Sequence, residues 1–178
     1  MSVAHESKTT TIRHGASVVT LTALRVGVGI VMLVHGWDKL TSISDWQQSV
    51  AQLQLPLPEV LAYLAVAGEV LGGIGLIAGV LTPLAAFGVL CTMLVAVFAV
   101  HLPNGLLARD NGFEYPMTLA LVAAYFMTFG AGPISVDALV NRLRSEGEAT
   151  PVPEPRVAAS KEQRIGTALA WSRDGHKA

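Results

Sequence analysis

Six ionisable side chains lie within or at the ends of four apolar segments of the chain: Arg25, His35, Lys39, Glu69, His101 and Glu114. Placing an ionised side chain at the centre of a bilayer costs about 2.5 to 3.5 kcal/mol on insertion scales, so such residues mark positions with a function or a partner. Together with Asn104 and Tyr115 they are the candidates for a ligand pocket. Their types and spacing assign no catalytic residue.

The composition is typical of an integral membrane protein. Of the 178 residues, 52% are hydrophobic and 14% are charged, and several uncharged runs reach the roughly 20 residues that a helix needs to cross a bilayer. The net charge of -1 and the lack of a dense basic patch argue against nucleic-acid binding. Cys91 is the single cysteine, which excludes an intrachain disulfide, a Cys-x-x-Cys redox pair and a thiolate zinc site.

The apolar runs predict an all-α fold, an integral membrane four-helix bundle with short interfacial helices. The spans are expected at about residues 17–40, 58–81, 83–101 and 116–131. One interfacial helix is predicted around Trp46 and another in VDALVNRLR, which follows the fourth span. Residues 1–15 are expected to be a disordered cytoplasmic N-terminus, residues 16–144 the membrane domain, and residues 145–178 a flexible cytoplasmic tail.

Basic residues indicate the orientation of this bundle. Lys8 and Arg13 precede the first span, and several arginines and lysines follow the fourth, whereas the two predicted outer loops hold few. The positive-inside rule therefore predicts that both termini lie in the cytoplasm. Under this topology the outer face gathers six of the candidate residues: His35, Lys39, His101, Asn104, Glu114 and Tyr115.

The first span carries a polar stripe. At about 100° per residue, Arg25, His35 and Lys39 fall on one side of the helix, within an arc of roughly 120°. A count of residues from the outer helix ends puts Arg25 and Glu69 at depths that differ by roughly 5 Å, which an arginine side chain can cover. We therefore expect an Arg25–Glu69 pair between the first two spans, which either forms the floor of a pocket or only holds the helices in register.

Glycines recur along the second span, at Gly68, Gly72, Gly75 and Gly79. Such a stripe allows a neighbouring helix to approach closely, and helix packing is its ordinary role. A slot for a flat ligand such as a quinone is the alternative interpretation.

Metal binding and soluble-type catalysis have little support in the sequence. His35, His101 and Glu114 are suitable ligands for zinc or iron, but they come from different segments and none forms a ligand pair such as His-x-x-x-His. No Ser-His-Asp order, phosphate-binding loop or dinucleotide fingerprint occurs. We therefore predict a polar pocket without a metal.

The segment LRVGVGIVMLVHGWDKL, residues 24–40, resembles the first-span pattern of the DoxX family, an arginine and a glycine followed by a His-Gly-x-x-Lys ending. The similarity continues through AGEVLGGIGLIAGVLTPLAA, which fits the family's Glu-x-x-Gly-Gly pattern, and through GFEYP and GPISVD. It covers roughly residues 20 to 143. The chain departs from the pattern at Pro83, where relatives often have a basic residue.

The resemblance implies a four-helix protein of the bacterial cytoplasmic (inner) membrane, in a family named for a subunit of a sulfur-compound:quinone oxidoreductase and linked in part with oxidative stress. The hypothesis that follows is a membrane component of an oxidoreductase system that binds a quinone or another small redox-active compound. In it Arg25 and Glu69 form the pocket floor, while His35, Lys39, His101 and Glu114 supply donors and a proton route. Besides the lipid bilayer, its partners would be a soluble redox enzyme or a second copy of the chain.

Two other classes of function remain open at the level of sequence. A non-catalytic scaffold would use the glycine face and the tail to hold soluble partners. A small-solute transporter would use the polar stripe as a pathway, but such proteins are commonly built from repeats with broken spans, and no internal repeat is visible.

Overall fold

The computed structural model describes the backbone of residues 2–147 and the side chains of residues 15–146. Within this part of the chain the regular elements are helices, and no strand occurs. The six α-helices are α1 Ser2–Thr41, α2 Ile43–Gln52, α3 Pro58–Ala78, α4 Thr82–Val95, α5 Glu114–Phe129 and α6 Val136–Gly147. Helix α4 continues into a π-helical segment, Ala96–His101, and a 3₁₀ turn, Leu102–Asn104; a second 3₁₀ turn, Ala108–Asp110, precedes α5.

Three stretches of helix are long and apolar enough to cross a membrane: Gly15–Thr41, Pro58–Ala78 and Thr82–Asn104. Helix α5 has 16 residues, which gives a length of about 24 Å at 1.5 Å per residue. It is therefore shorter than the roughly 30 Å hydrocarbon core of a bilayer. The predicted all-α membrane bundle is confirmed, with three long spans and a shorter fourth helix.

Helix α3 lies between α1 and α4 and presents glycines to both. On one side a Cβ added to Gly73 would lie 2.7 Å from the backbone nitrogen of Leu33 in α1. On the other side a Cβ on Gly72 would lie 2.9 Å from the carbonyl oxygen of Ala85 in α4. At both contacts the neighbouring backbone occupies the space that a larger residue would need, so the glycines set the spacing of the three helices.

The apolar core lies where α1, α3, α4 and α5 meet. Its fully buried side chains include Met32, Leu76, Val89 and Phe126, one from each of these helices. Most other large apolar side chains of the spans are exposed, as is expected of helix faces that contact lipid.

The first residues of the chain continue helix α1. The backbone of residues 2–15 is helical because α1 begins at Ser2, whereas the polar composition of this segment predicts disorder. No proline or glycine precedes Gly15, so a helix formed in the apolar span can extend back through the segment one hydrogen bond at a time.

The helices up to Arg144 form one compact unit. The predicted flexible tail, residues 145–178, lies outside the described residues beyond Gly147.

Candidate ligand-binding site

A buried ion pair joins α1 to α3. Lys39 Nζ donates a hydrogen bond to Glu69 Oε1, and only 1% of the Glu69 side chain is exposed, against 22% for Lys39. Gly36 makes this contact possible, because a Cβ there would lie 2.9 Å from the Glu69 Cβ. The His-Gly-x-x-Lys motif thus brings the helix backbone close to Glu69 at its glycine and supplies the counter-ion at its lysine.

Helix α2 covers this ion pair. The ammonium of Lys39 lies 4.3 Å from the centre of the Trp46 ring, a distance at which the ring face attracts a cation. The indole of Trp46 is itself held in place, since its Nε1 donates a hydrogen bond of 3.2 Å to the carbonyl of Ala62 in α3. Trp46 is therefore part of the site, although its sequence context predicts a residue at the membrane surface.

The second carboxylate oxygen of Glu69, Oε2, is buried and has no hydrogen-bond partner. A buried acceptor without a partner costs about 1 to 3 kcal/mol, and more when it is charged. Such an atom calls for an explanation, and one explanation is a ligand that supplies the missing hydrogen bond.

Glu69 lines a cavity of about 860 Å³ that is bounded by residues of α1 to α5. The lining runs along α4 and the π-helical segment, from Leu84 to His101, a distance of roughly 26 Å at about 1.5 Å per residue. Several lining side chains, Leu64, Leu71 and Phe87 among them, are also exposed at the surface. The cavity is thus a long groove that opens between α3 and α4, on a face that meets lipid in a membrane.

The polar side chains of this groove are concentrated toward one end. They are His35, Lys39, Trp46, Glu69, Thr92, His101 and Tyr115. The rings of His35 and Tyr115 approach each other with centroids 6.4 Å apart. The π-helical segment contributes Ala96, Val100 and His101 to the same wall, and π-turns within α-helices often occur at functional sites. Within the described residues no three histidine, cysteine or acidic side chains are placed to hold a metal ion.

Five of the eight predicted pocket residues therefore line one cavity: His35, Lys39, Glu69, His101 and Tyr115. Asn104 and Glu114 do not. Asn104 Nδ2 donates to the carbonyl of Asn111 at 3.1 Å, and Glu114 Oε1 accepts a hydrogen bond of 2.7 Å from the Ala108 N–H. Both side chains shape the loop between the π-helical segment and α5, and the prediction that Glu114 lies at the mouth of the pocket is corrected.

The predicted Arg25–Glu69 pair is wrong. Along the antiparallel α1–α3 contact, Gly36 faces Val70 and Gly29 faces Ile77, so Arg25 falls opposite the end of α3. There the 2%-exposed Arg25 donates to the carbonyls of Leu76 at 2.7 Å and Ile134 at 2.8 Å. The pair is expected only if the outer ends of the two helices lie at the same depth, whereas α3 starts beyond the end of α1.

Gly79 makes room for this arginine. It ends α3 with a φ of 67°, a conformation that glycine adopts without strain. A Cβ at Gly79 would also lie 2.2 Å from Arg25 Nη1. Gly68, Gly72 and Gly75 face α4 instead, so the four glycines of the stripe serve two different contacts.

Asp137 completes the structure around Arg25, although no sequence pattern predicts a role for it. Its carboxylate accepts hydrogen bonds from the N–H groups of Leu81 at 2.8 Å and Thr82 at 2.9 Å, at the start of α4. Burial raises the pKa of Asp137, but hydrogen bonds from Thr82 and Leu81 and the charge of Arg25 outweigh it, so its pKa lies below the usual value. A lone acidic residue after GPISV gives little indication of this contact with the α3–α4 turn.

The comparisons with known proteins agree with the motifs in α1 and α3. The DoxX family model matches residues 20–102. A Haemophilus influenzae protein described as uncharacterized is 26% identical over 133 residues, which cover 66% of this chain and 88% of that protein. The inner membrane protein YphA of Escherichia coli K12 is 28% identical over 124 residues, or 67% of this chain and 89% of YphA. No solved structure matches. Residues 20–102 thus match the DoxX domain, within a chain whose long apolar helices are those of a membrane protein.

Proposed function

We propose that this protein is a membrane component of an oxidoreductase system that binds a quinone, or a small redox-active compound of similar shape, in the groove between α3 and α4. The observation that carries the proposal is the unpartnered Glu69 Oε2 at the polar end of a long apolar groove. We further propose that the protein lies in the bacterial inner membrane, as the name of the Escherichia coli relative suggests, with both termini in the cytoplasm.

The shape and chemistry of the groove suit a ligand with a small polar head and an apolar tail. Its volume of about 860 Å³ falls in the range of small-molecule sites, roughly 300 to 1,000 Å³. The head would meet Glu69 and Lys39, while the tail would lie along the leucine, alanine and glycine side of α3 and α4. Because the groove opens toward lipid, such a compound could enter from the bilayer without passing through water.

In this proposal the residues of the chain bind and orient the ligand, and the electrons come from a partner. Lys39 pairs with Glu69 Oε1 and is held in place by the Trp46 ring. His35 and Tyr115 are exposed residues of the polar end, and in this proposal they lie on the route by which protons reach or leave the ligand. The sequence contains no flavin, haem, iron–sulfur or dithiol motif, so a soluble redox enzyme is the proposed source or acceptor of electrons.

Filling the groove tests this proposal. Ala65 lines the groove, and Ala65→Phe should occupy the space of the ligand and weaken binding about tenfold or more, the effect of losing roughly 1.4 kcal/mol. Ala78 lies on the same helix, is exposed and does not line the groove, which makes Ala78→Phe the matched control. Binding of short-chain quinones and their quinols to the detergent-purified protein would be measured by calorimetry.

The outcome separates this proposal from the scaffold hypothesis. If no compound of the series binds the wild-type protein, the ligand-site proposal fails and a non-catalytic scaffold becomes the better hypothesis. If a compound binds but Ala65→Phe and Ala78→Phe bind it equally well, the groove is not the site.

A further inference from the structure

The polar end of the groove offers a distinct pattern of hydrogen-bonding groups. Its buried atom without a partner, Glu69 Oε2, is a carboxylate oxygen, and an ionised carboxylate can only accept hydrogen bonds. The ammonium of Lys39 has three N–H groups; one bonds Glu69 Oε1, and the ammonium also sits over the Trp46 ring. The buried atom without a partner beside the groove therefore requires a donor, while an N–H of Lys39 can still donate to the same ligand.

From this pattern we infer that the site selects the reduced, hydroxyl-bearing form of its ligand, a quinol or another phenol, over the oxidised carbonyl form. The inference rests on the proposed function and specifies its ligand class. A hydroxyl group can donate to Glu69 Oε2 and at the same time accept from a remaining N–H of Lys39. A quinone carbonyl can only accept, so it would leave Oε2 without a partner and place two oxygen acceptors side by side.

The contact requires only a small movement of the carboxylate. Oε2 is shielded from water, but the last torsion of a glutamate side chain is soft and roughly two-fold. A turn about this torsion can present Oε2 to the groove while the carboxylate stays within reach of Lys39. Hydrogen bonds to a charged acceptor are about twice as strong as neutral ones, so a difference of a single O–H group should dominate the choice between the two ligand forms.

A pair of ligands that differ in this group tests the inference directly. A para-alkylphenol and its methyl ether have the same ring and tail, but only the phenol donates a hydrogen bond. Calorimetry on the full-length protein in detergent should show that the phenol binds about tenfold tighter than the ether. A short-chain quinol should bind more tightly than its quinone by a similar factor. Both would be measured anaerobically, the quinol with a reductant present and the quinone without one.

The Glu69→Gln variant then tests which residue makes the choice. An amide can turn its NH₂ group toward the ligand and donate to a carbonyl, so the preference for the phenol should fall to about threefold or less. Glu59→Gln, which makes the same chemical change at an exposed position in the first turn of α3, should keep the full preference.

The results distinguish this inference from the proposal on which it rests. Tight binding of both ligand forms with equal affinity would overturn the donor preference and leave the groove as a ligand site. If Glu59→Gln loses the preference for the phenol as Glu69→Gln does, Glu69 is not the residue that determines this preference. If neither the phenol, the ether, the quinol nor the quinone binds, the inference and the proposed function both fail. Because the comparison of phenol and ether uses the wild-type protein, the inference can be refuted even if Glu69→Gln does not fold.

Discussion

Replacement of the two partners of the Lys39–Glu69 pair should have unequal effects on stability. Lys39→Met leaves Glu69, with 1% of its side chain exposed, as a buried carboxylate with no counter-ion. Breaking a buried pair in this way typically costs about 3 to 5 kcal/mol. Glu69→Gln instead leaves Lys39, which is 22% exposed and can turn its ammonium toward water while its stem stays packed. That loss should be closer to the roughly 1.5 to 3 kcal/mol of a charged hydrogen bond.

The double variant Lys39→Met with Glu69→Leu leaves neither charge buried. It should therefore be more stable than Lys39→Met alone, by about 2 kcal/mol, because apolar replacement of both partners of a buried pair is often near neutral. Arg25→Met combined with Glu69→Gln should instead be additive within about 0.5 kcal/mol, since the two residues share no partner.

Unfolding of the detergent-purified protein in increasing mole fractions of dodecyl sulfate, followed by far-UV circular dichroism, gives the free energy of unfolding of each variant. Two results would refute the reasoning. One is a cost for Glu69→Gln equal to or above that of Lys39→Met. The other is strong coupling between Arg25 and Glu69, which would restore the pair that the sequence predicts.

Three further predictions concern other parts of the chain. The pKa of Asp137 is lowered in the folded state, so its contribution to stability should be complete above the ordinary carboxyl pKa of about 3.9 and be lost as the pH falls below that value. Asp137→Asn should therefore lower the free energy of unfolding by about 1 to 2 kcal/mol at pH 7. In the same variant, the free energy of unfolding should fall less steeply as the pH is lowered. Gly73→Ala should lower the free energy of unfolding by about 1 to 3 kcal/mol, because the new Cβ meets the α1 backbone. A Cβ at Gly27 has nothing within 4 Å, so Gly27→Ala should be neutral or slightly stabilising in the same unfolding titration. Reporter enzymes fused at the N-terminus and after residue 150 should both show a cytoplasmic location, and a periplasmic signal from the second would mean that α5 does not cross the membrane.

Local properties of the sequence were sufficient for the helices and for part of the site. Apolar runs and prolines at positions 58 and 83 predicted where the long helices lie, since these features act within one segment. His35 and Lys39 were placed on one helix face by periodicity alone, and that placement agrees with their shared cavity. The role of Trp46 was missed because its contact partners, Lys39 and Ala62, belong to two other helices.

What the sequence by itself determined is therefore the all-helical type of the fold and the membrane character of its three long helices, because hydrophobic run length and helical period depend on neighbouring residues only. The tertiary structure decided which charges meet. The axial offset between α1 and α3 depends on how their glycines pack, and a shift of a few residues, at 1.5 Å each, is enough to exchange partners. Because of this offset, Glu69 pairs with Lys39, and Arg25 donates to the carbonyls of Leu76 and Ile134. The sequence pattern of either helix alone does not indicate the offset.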